Sequence, residues 1–147
     1  MTTQALHDTG EEYAIKNSLA GVSYDLILFN DGELSGSGDN LSDSSDIGDI
    51  TTEPTGSGYA TQSDTFSAED IGTNWGITND SLVSFDTLDS STTVDSLAII
   101  VNFQSDDTGD GSANDHLLST GTLTQSRDLS NFSSIDFPAG DIELTLD

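Results

Sequence analysis

The chain has 147 residues and no cysteine, and its 2 Lys and Arg stand against 27 Asp and Glu, a formal net charge of -25. That length fits one ordinary domain, able to bury roughly 70% of its unfolded surface. The missing cysteines exclude disulfides, thiolate metal sites and a cysteine nucleophile. With Lys16 and Arg127 as the whole basic complement, there is no patch to neutralise phosphates or anionic lipid, which excludes nucleic acid and membrane surfaces as partners.

Like charges crowded over one surface work against any compact state in dilute buffer. At molar ionic strength the Debye length falls to ~3 Å, so neighbouring carboxylates hardly interact while their hydration keeps the chain dissolved. The composition reads as that of an extreme halophile. An acidic disordered chain is the bland alternative, but the apolar residues here are periodic rather than sparse.

The N-terminus, Met1-Thr2-Thr3-Gln4-Ala5-Leu6-His7-Asp8, has neither the basic region nor the apolar core of an export signal, and no later stretch approaches the ~20 apolar residues of a membrane span. Synthesis in the cytoplasm and no membrane insertion are therefore expected. Thr9-Gly10-Glu11-Glu12 fits a capping box, which predicts a short helix over 11–19 that ends at Ala20-Gly21.

Val22 to Phe29 alternates with period two, the pattern of a strand. Asn30 to Asp49 is rich in Gly, Ser, Asp and Asn and reads as a long exposed loop. Strand-type runs then recur at Ile47–Thr52, Tyr59–Phe66, Ser81–Phe85, Val94–Phe103, His116–Thr124, Phe132–Phe137 and Ile142–Leu146. Val94–Phe103 is apolar on both faces, which places it centrally. The reading is an all-β chain: a single β-sandwich or jelly roll of about eight strands with one short N-terminal helix. Residues 1–21 form an arm and helix, and 22–147 the sandwich domain.

Material for catalysis is poor: two histidines, His7 and His116, and carboxylate pairs so numerous that counting them carries no information. No enzyme activity is expected. The sharpest motif is Asp106-Asp107-Thr108-Gly109-Asp110-Gly111-Ser112-Ala113-Asn114-Asp115, which partly imitates a calcium loop with oxygen donors at Asp106, Thr108, Asp110 and Asn114. Its twelfth position falls on Leu117, which cannot ligate, so an acidic surface turn is the competing reading. No cofactor is required; Ca, Mg, Na or K ions from a saline medium are the only candidates. Trp75 and Tyr59 adjoin glycines that could leave their rings facing a receptor as sugar platforms, against the alternative that they pack in the core.

The order of segments also resembles a known family. Gly58-Tyr59-Ala60-Thr61-Gln62, Leu82-Val83-Ser84-Phe85, Leu97-Ala98-Ile99-Ile100, Leu117-Leu118-Ser119-Thr120-Gly121-Thr122-Leu123 and Phe137-Pro138-Ala139-Gly140-Asp141-Ile142-Glu143-Leu144-Thr145-Leu146 are similar to segments of small structural proteins of tailed viruses. Thr61 replaces the usual Arg, and the loop from Ser105 to Asp115 is enlarged. In the last segment Pro138–Asp141 is expected to turn the chain between two strands of a hairpin.

The resemblance implies a β-sandwich virion component, a tail-fibre, minor tail or head-surface protein, with no catalytic residues. With the acidity it points to a head-tailed virus of haloarchaea. The implied role is a surface-exposed homo-oligomer of the tail tip or of a capsid turret or decoration, in contact with other virion proteins and taking part in host attachment. Host-surface glycans or an S-layer are the implied external partners, and the loops Asn30–Asp49 and Ser105–Asp115 the outward face. The alternative from another class is a carbohydrate-binding β-sandwich module recognising cell-surface glycans.

Overall fold

A computed structural model describes residues 7–103 and 113–145. In chain order, a helix α1 (Asp8–Ala14) runs into a π-helical turn (Ile15–Leu19). The strands β1 (Val22–Phe29), β2 (Gln62–Ile71), β3 (Asn74–Asn79), β4 (Val83–Asp86), β5 (Thr93–Phe103), β6 (Asn114–Asp128), β7 (Ser134–Phe137) and β8 (Glu143–Thr145) follow. They divide between a six-stranded and a two-stranded sheet, the latter made by β4 and β7. The class is all-β, with eight strands and one short N-terminal helix.

The chain groups into two compact units. One gathers the chain through Ser23, Asp64–Val83 and the chain from Phe137; the other gathers Tyr24–Ser63 and Ser84–Asp136. The N-terminal segment therefore belongs with β3 and β8.

In the first unit the helix begins at Asp8, earlier than the capping pattern predicts. The His7 carbonyl accepts from the Gly10 and Glu11 amides at 2.6 and 3.0 Å, so Thr9 lies inside the first turn and no side chain caps it. The end is as expected: Ala20 is extended and Gly21 has φ +73°, from which its amide donates to the Phe66 carbonyl at 2.7 Å. Ile15 is fully buried. Strands β2 and β3 pair antiparallel from Phe66↔Asn79 to Ile71↔Asn74, and β8 joins the other side of β3 through Ile77↔Leu144.

Strand β3 is absent from the sequence-based expectation because its only large apolar residues are Trp75 and Ile77. Its polar end is buried instead: Asn79 Nδ2 donates to the Ser81 and Pro138 carbonyls at 2.7 and 2.9 Å, and Asn79 Oδ1 accepts from the Ile142 amide at 2.9 Å. Those bonds offset the desolvation of the amide group. The expected 138–141 hairpin is corrected by the same pairing. Pro138–Asp141 does turn, with the Asp141 amide donating to the Pro138 carbonyl at 3.1 Å, but the strands on either side are not partners, since β7 pairs with β4 and β8 with β3.

In the second unit β5 pairs with β1 from Asp25↔Ile100 to Phe29↔Ser96 and with β6 on its other side. Partners across an antiparallel ladder share a face, so Leu26, Leu28, Leu97 and Ile99 occupy one side and Ile27, Phe29, Ala98 and Ile100 the other. All eight are buried, as an interior strand apolar on both faces requires. The Ile27 cluster is covered by Leu41, Ile47, Ile50 and Leu117. Each such fully buried large side chain contributes about 1.5–3 kcal/mol.

The run expected as a strand at Ile47–Thr52 is a 3-10 turn, Ile47–Asp49. Asp46 Oδ1 accepts from the Gly48 amide at 2.7 Å and Asp49 Oδ2 from the Asp46 amide at 3.0 Å. These local side-chain bonds outcompete the β preference of the isoleucines.

Candidate functional site

The most elaborate polar arrangement among the described residues is centred on Asp95. The β5–β6 ladder breaks between Val94 and Ser96, and Asp95 falls in that break, where a strand irregularity re-aims a side chain. The residue is 0% exposed. Its Oδ1 accepts from the Asp31 amide at 2.8 Å and the Ser96 hydroxyl at 2.9 Å, and its Oδ2 from the Leu34 amide at 2.9 Å and the Ser35 amide at 3.4 Å. Burial pushes the carboxyl up, but the Leu34 and Asp31 amides, the Ser96 hydroxyl and the Ser35 amide together outweigh it and hold the group below the usual carboxylate range.

Further carboxylates continue the lashing along the segment that follows β1. Asp31 Oδ1 accepts from the Leu41 amide at 2.7 Å. Asp39 takes the Thr51 hydroxyl and the Thr52 hydroxyl, each at 2.7 Å, and both threonine amides at 3.1 and 3.2 Å. Burial raises the Asp39 carboxyl, while the Thr51 and Thr52 hydroxyls and then their amides bring it below its ordinary value. Residues 30–52 thus present much of their length to solvent while being fixed from beneath.

Charge and hydroxyl are paired across the rest of the surface. Ser63 Oγ donates to Asp25 at 2.5 Å, Ser57 Oγ to Asp89 at 2.6 Å, Ser81 Oγ to Asp64 at 2.7 Å and Ser84 Oγ to Asp136 at 2.6 Å. Two cations cannot serve 27 acids, so hydroxyls take their place; Lys16 Nζ does pair with Glu12 at 2.6 Å. A bond between a neutral donor and an ionised acceptor is short and strong, and it needs no second charge that brine would screen.

The residues singled out from sequence are dispersed. Asp106, Thr108 and Asp110 lie outside the described residues; Asn114 opens β6 opposite Phe103. Among the described residues no group of three or more His, Cys, Asp or Glu is placed to hold a metal ion. Tyr59 is half-buried, its ring stacked on Phe85 at 5.9 Å and its hydroxyl accepting from the Leu28 amide at 2.9 Å. Burial raises that phenol, and neighbouring Glu53 raises it further against the opposing Leu28 bond. Trp75 is half-buried in β3 with Lys16 Nζ 4.5 Å from its ring centroid. His116 tilts against Phe103 at 4.4 Å, and exposed His7 precedes the helix.

Two concave surfaces escape sequence reasoning because distant segments form them. An open groove of about 530 Å³ lies between the turns 86–90 and 129–133. It is walled by exposed Leu88, by Phe132 and by buried Leu129, with Asp86 and Asp89 on its rim and Arg127 stacked on Phe132 at 5.3 Å. Ser90, also lining it, has a buried hydroxyl with no hydrogen-bond partner. The second, a cleft of about 420 Å³, runs between Leu41–Ser45 and Leu117–Thr120.

No described helix is long and apolar enough to cross a membrane. Comparison with protein-family models, with curated proteins and with solved structures finds no match.

Proposed function

We propose that the chain is a non-catalytic structural protein that assembles with copies of itself in concentrated salt, as a surface component of a halophilic virus particle of the head-tailed kind. The supporting observation is the use made of Asp95. Its buried carboxylate is met by amide and hydroxyl donors and held ionised, which fixes a displayed acidic segment and makes this carboxylate an anchor rather than an acid or base poised for proton transfer. An all-β scaffold carrying a rigid acidic loop suits a part that must keep its shape in brine. The chain in molar KCl is expected to sediment as one homo-oligomer, and antibody against it to decorate purified particles. A strict monomer, or antibody that labels only unassembled lysate, would overturn the reading.

The groove favours a second reading, recognition of cell-surface glycan. Leu88 and Phe132 offer an apolar wall for the C–H face of a sugar, and Asp86 and Asp89 accept from its hydroxyls; recognition sites commonly combine apolar walls with a few placed polar groups. Binding of neutral oligosaccharides on an array in molar KCl is expected to fall roughly tenfold, the effect of ~1.4 kcal/mol, in Phe132→Ala. Equal binding by that variant and the parent chain would remove the groove from consideration.

A further inference from the structure

We infer that the outer edge of β6 is the surface on which a second copy of this chain docks, strand against strand; the inference rests on the assembly reading above and names its interface. Strand β6 lies at the end of the sheet order, with β5 on its inner side, and it is 15 residues long. A long outer strand presents a row of backbone donors and acceptors, and natural proteins ordinarily guard such an edge with charge. Between its ends this strand carries no acidic residue of its own. In a chain with 27 acids there is no Asp or Glu from His116 through Arg127, and the stretch holds one of the two basic residues.

Gly121 supplies an independent observation. It lies mid-strand, is exposed, and is not among the glycines of positive φ. A β-carbon built there meets nothing within 4 Å. Neither its backbone conformation nor its packing against the described residues calls for glycine, and a glycine inside a strand often marks a bulge or the close approach of another backbone or ligand.

The cleft beside β6 fits the same occupant. Its wall takes in the consecutive residues Leu117, Leu118, Ser119 and Thr120. Beyond the irregularity at Leu118, Ser119 and Thr120 point to opposite faces, so a cavity touching both reaches the edge. The opposite wall carries Leu41, Ser42, Asp43 and Ser45, so a single carboxylate borders this stretch of the edge.

The occupant is a second β6 because a chain of net charge -25 can bring a copy of itself to hydrogen-bond distance most easily where the facing strands carry no carboxylate of their own, as from His116 to Arg127. Thr120, Thr122 and Thr124 favour extended backbone. Irregularities in the β5–β6 ladder fall at Leu118 and across Leu123–Ser126, leaving Ser119–Thr122 in register with Ile99–Ser96. A two-fold axis at Gly121 therefore uses the regular stretch, a self-complementary arrangement in which each contact occurs twice.

The test is sedimentation of the full chain in molar KCl over a range of concentrations, with circular dichroism of every variant. Thr120→Asp combined with Thr122→Asp, which restores carboxylates to the edge, is expected to weaken self-association by roughly tenfold or more. Ser67→Asp, on exposed β2 surface, is the control expected to leave association intact. If the parent chain associates and the β6 variant associates equally well, the edge assignment is overturned while the assembly reading stands. If the parent chain is monomeric throughout, the assembly reading itself falls.

Discussion

Asp95→Ala is expected to destabilise the protein by about 3–4 kcal/mol, because buried amides left without an acceptor cost ~1–3 kcal/mol each and bonds to a charged acceptor are worth ~1.5–3. The side chain is fully buried and takes donors from Asp31, Leu34, Ser35 and Ser96. Denaturant unfolding in molar KCl measures the loss. Asp95→Asn keeps the shape and one acceptor oxygen, so a smaller cost is expected. Hydrogen exchange separates a local from a general effect: the Asp31 and Leu34 amides should lose protection first, ahead of the Leu26–Leu28 amides in β1. Uniform loss of protection, or a stability change within ~0.5 kcal/mol of the parent, would contradict the role given to this carboxylate.

Moving the chain from molar KCl to below ~0.1 M, where the Debye length exceeds ~10 Å, is expected to abolish assembly and then the fold. Circular dichroism and light scattering follow both, and unchanged signals would refute the expectation. Acidity acts in two directions, which the salt level separates. Asp95, Asp39 and Asp64 have carboxyls below the usual range: in each, burial raises the group and hydrogen bonds more than reverse it, from Ser81, Thr65 and Asp80 in the case of Asp64. Folding favours their ionised form, so their stabilisation is present above the unfolded value of ~3.9 and is lost as pH falls through the lower folded values. Burial raises Glu53, with its Tyr59 bond opposing, so its contribution runs the other way and fades as pH rises past its folded value. In molar KCl, stability is therefore expected to hold from neutrality to about pH 5 and to fall below about pH 4. In dilute salt, mild acid is expected to stabilise first, by discharging the surface, before the same loss sets in.

The parts of the fold legible in the sequence are those in which apolar side chains alone decide. Val22–Phe29 is a strand to the residue and Thr93–Phe103 nearly so, because strict alternation or a two-faced apolar run has one way to be buried. Gly21 likewise marks the end of the helical segment. Where polar groups decide, the sequence is silent: Asn74–Asn79 reads as loop until Asn79 finds its partners at Ser81, Pro138 and Ile142. Ile47–Thr52 reads as strand until Asp46 and Asp49 fold it into a turn. The Asp95 centre was hidden for the same reason, since its amide donors come from 60 or more residues upstream. The available hint was one acid inside a run from Val94 to Ile100 that is otherwise apolar or small, a position a carboxylate tolerates only when donors surround it. Tyr59 and Trp75 stood out by their glycine neighbours, but the neighbours do not reveal that a Leu28 amide binds one and Lys16 covers the other.

The pairing of aspartates with hydroxyls bears on how fast copies can find one another. Such bonds act over one atomic contact, and in brine no long-range attraction guides an encounter. Collisions must find the right orientation unaided, for which rate constants of ~10⁵–10⁶ M⁻¹s⁻¹ are typical. If copies assemble as proposed, growth of the assembly is expected to be governed by local abundance and by how long each brief contact lasts.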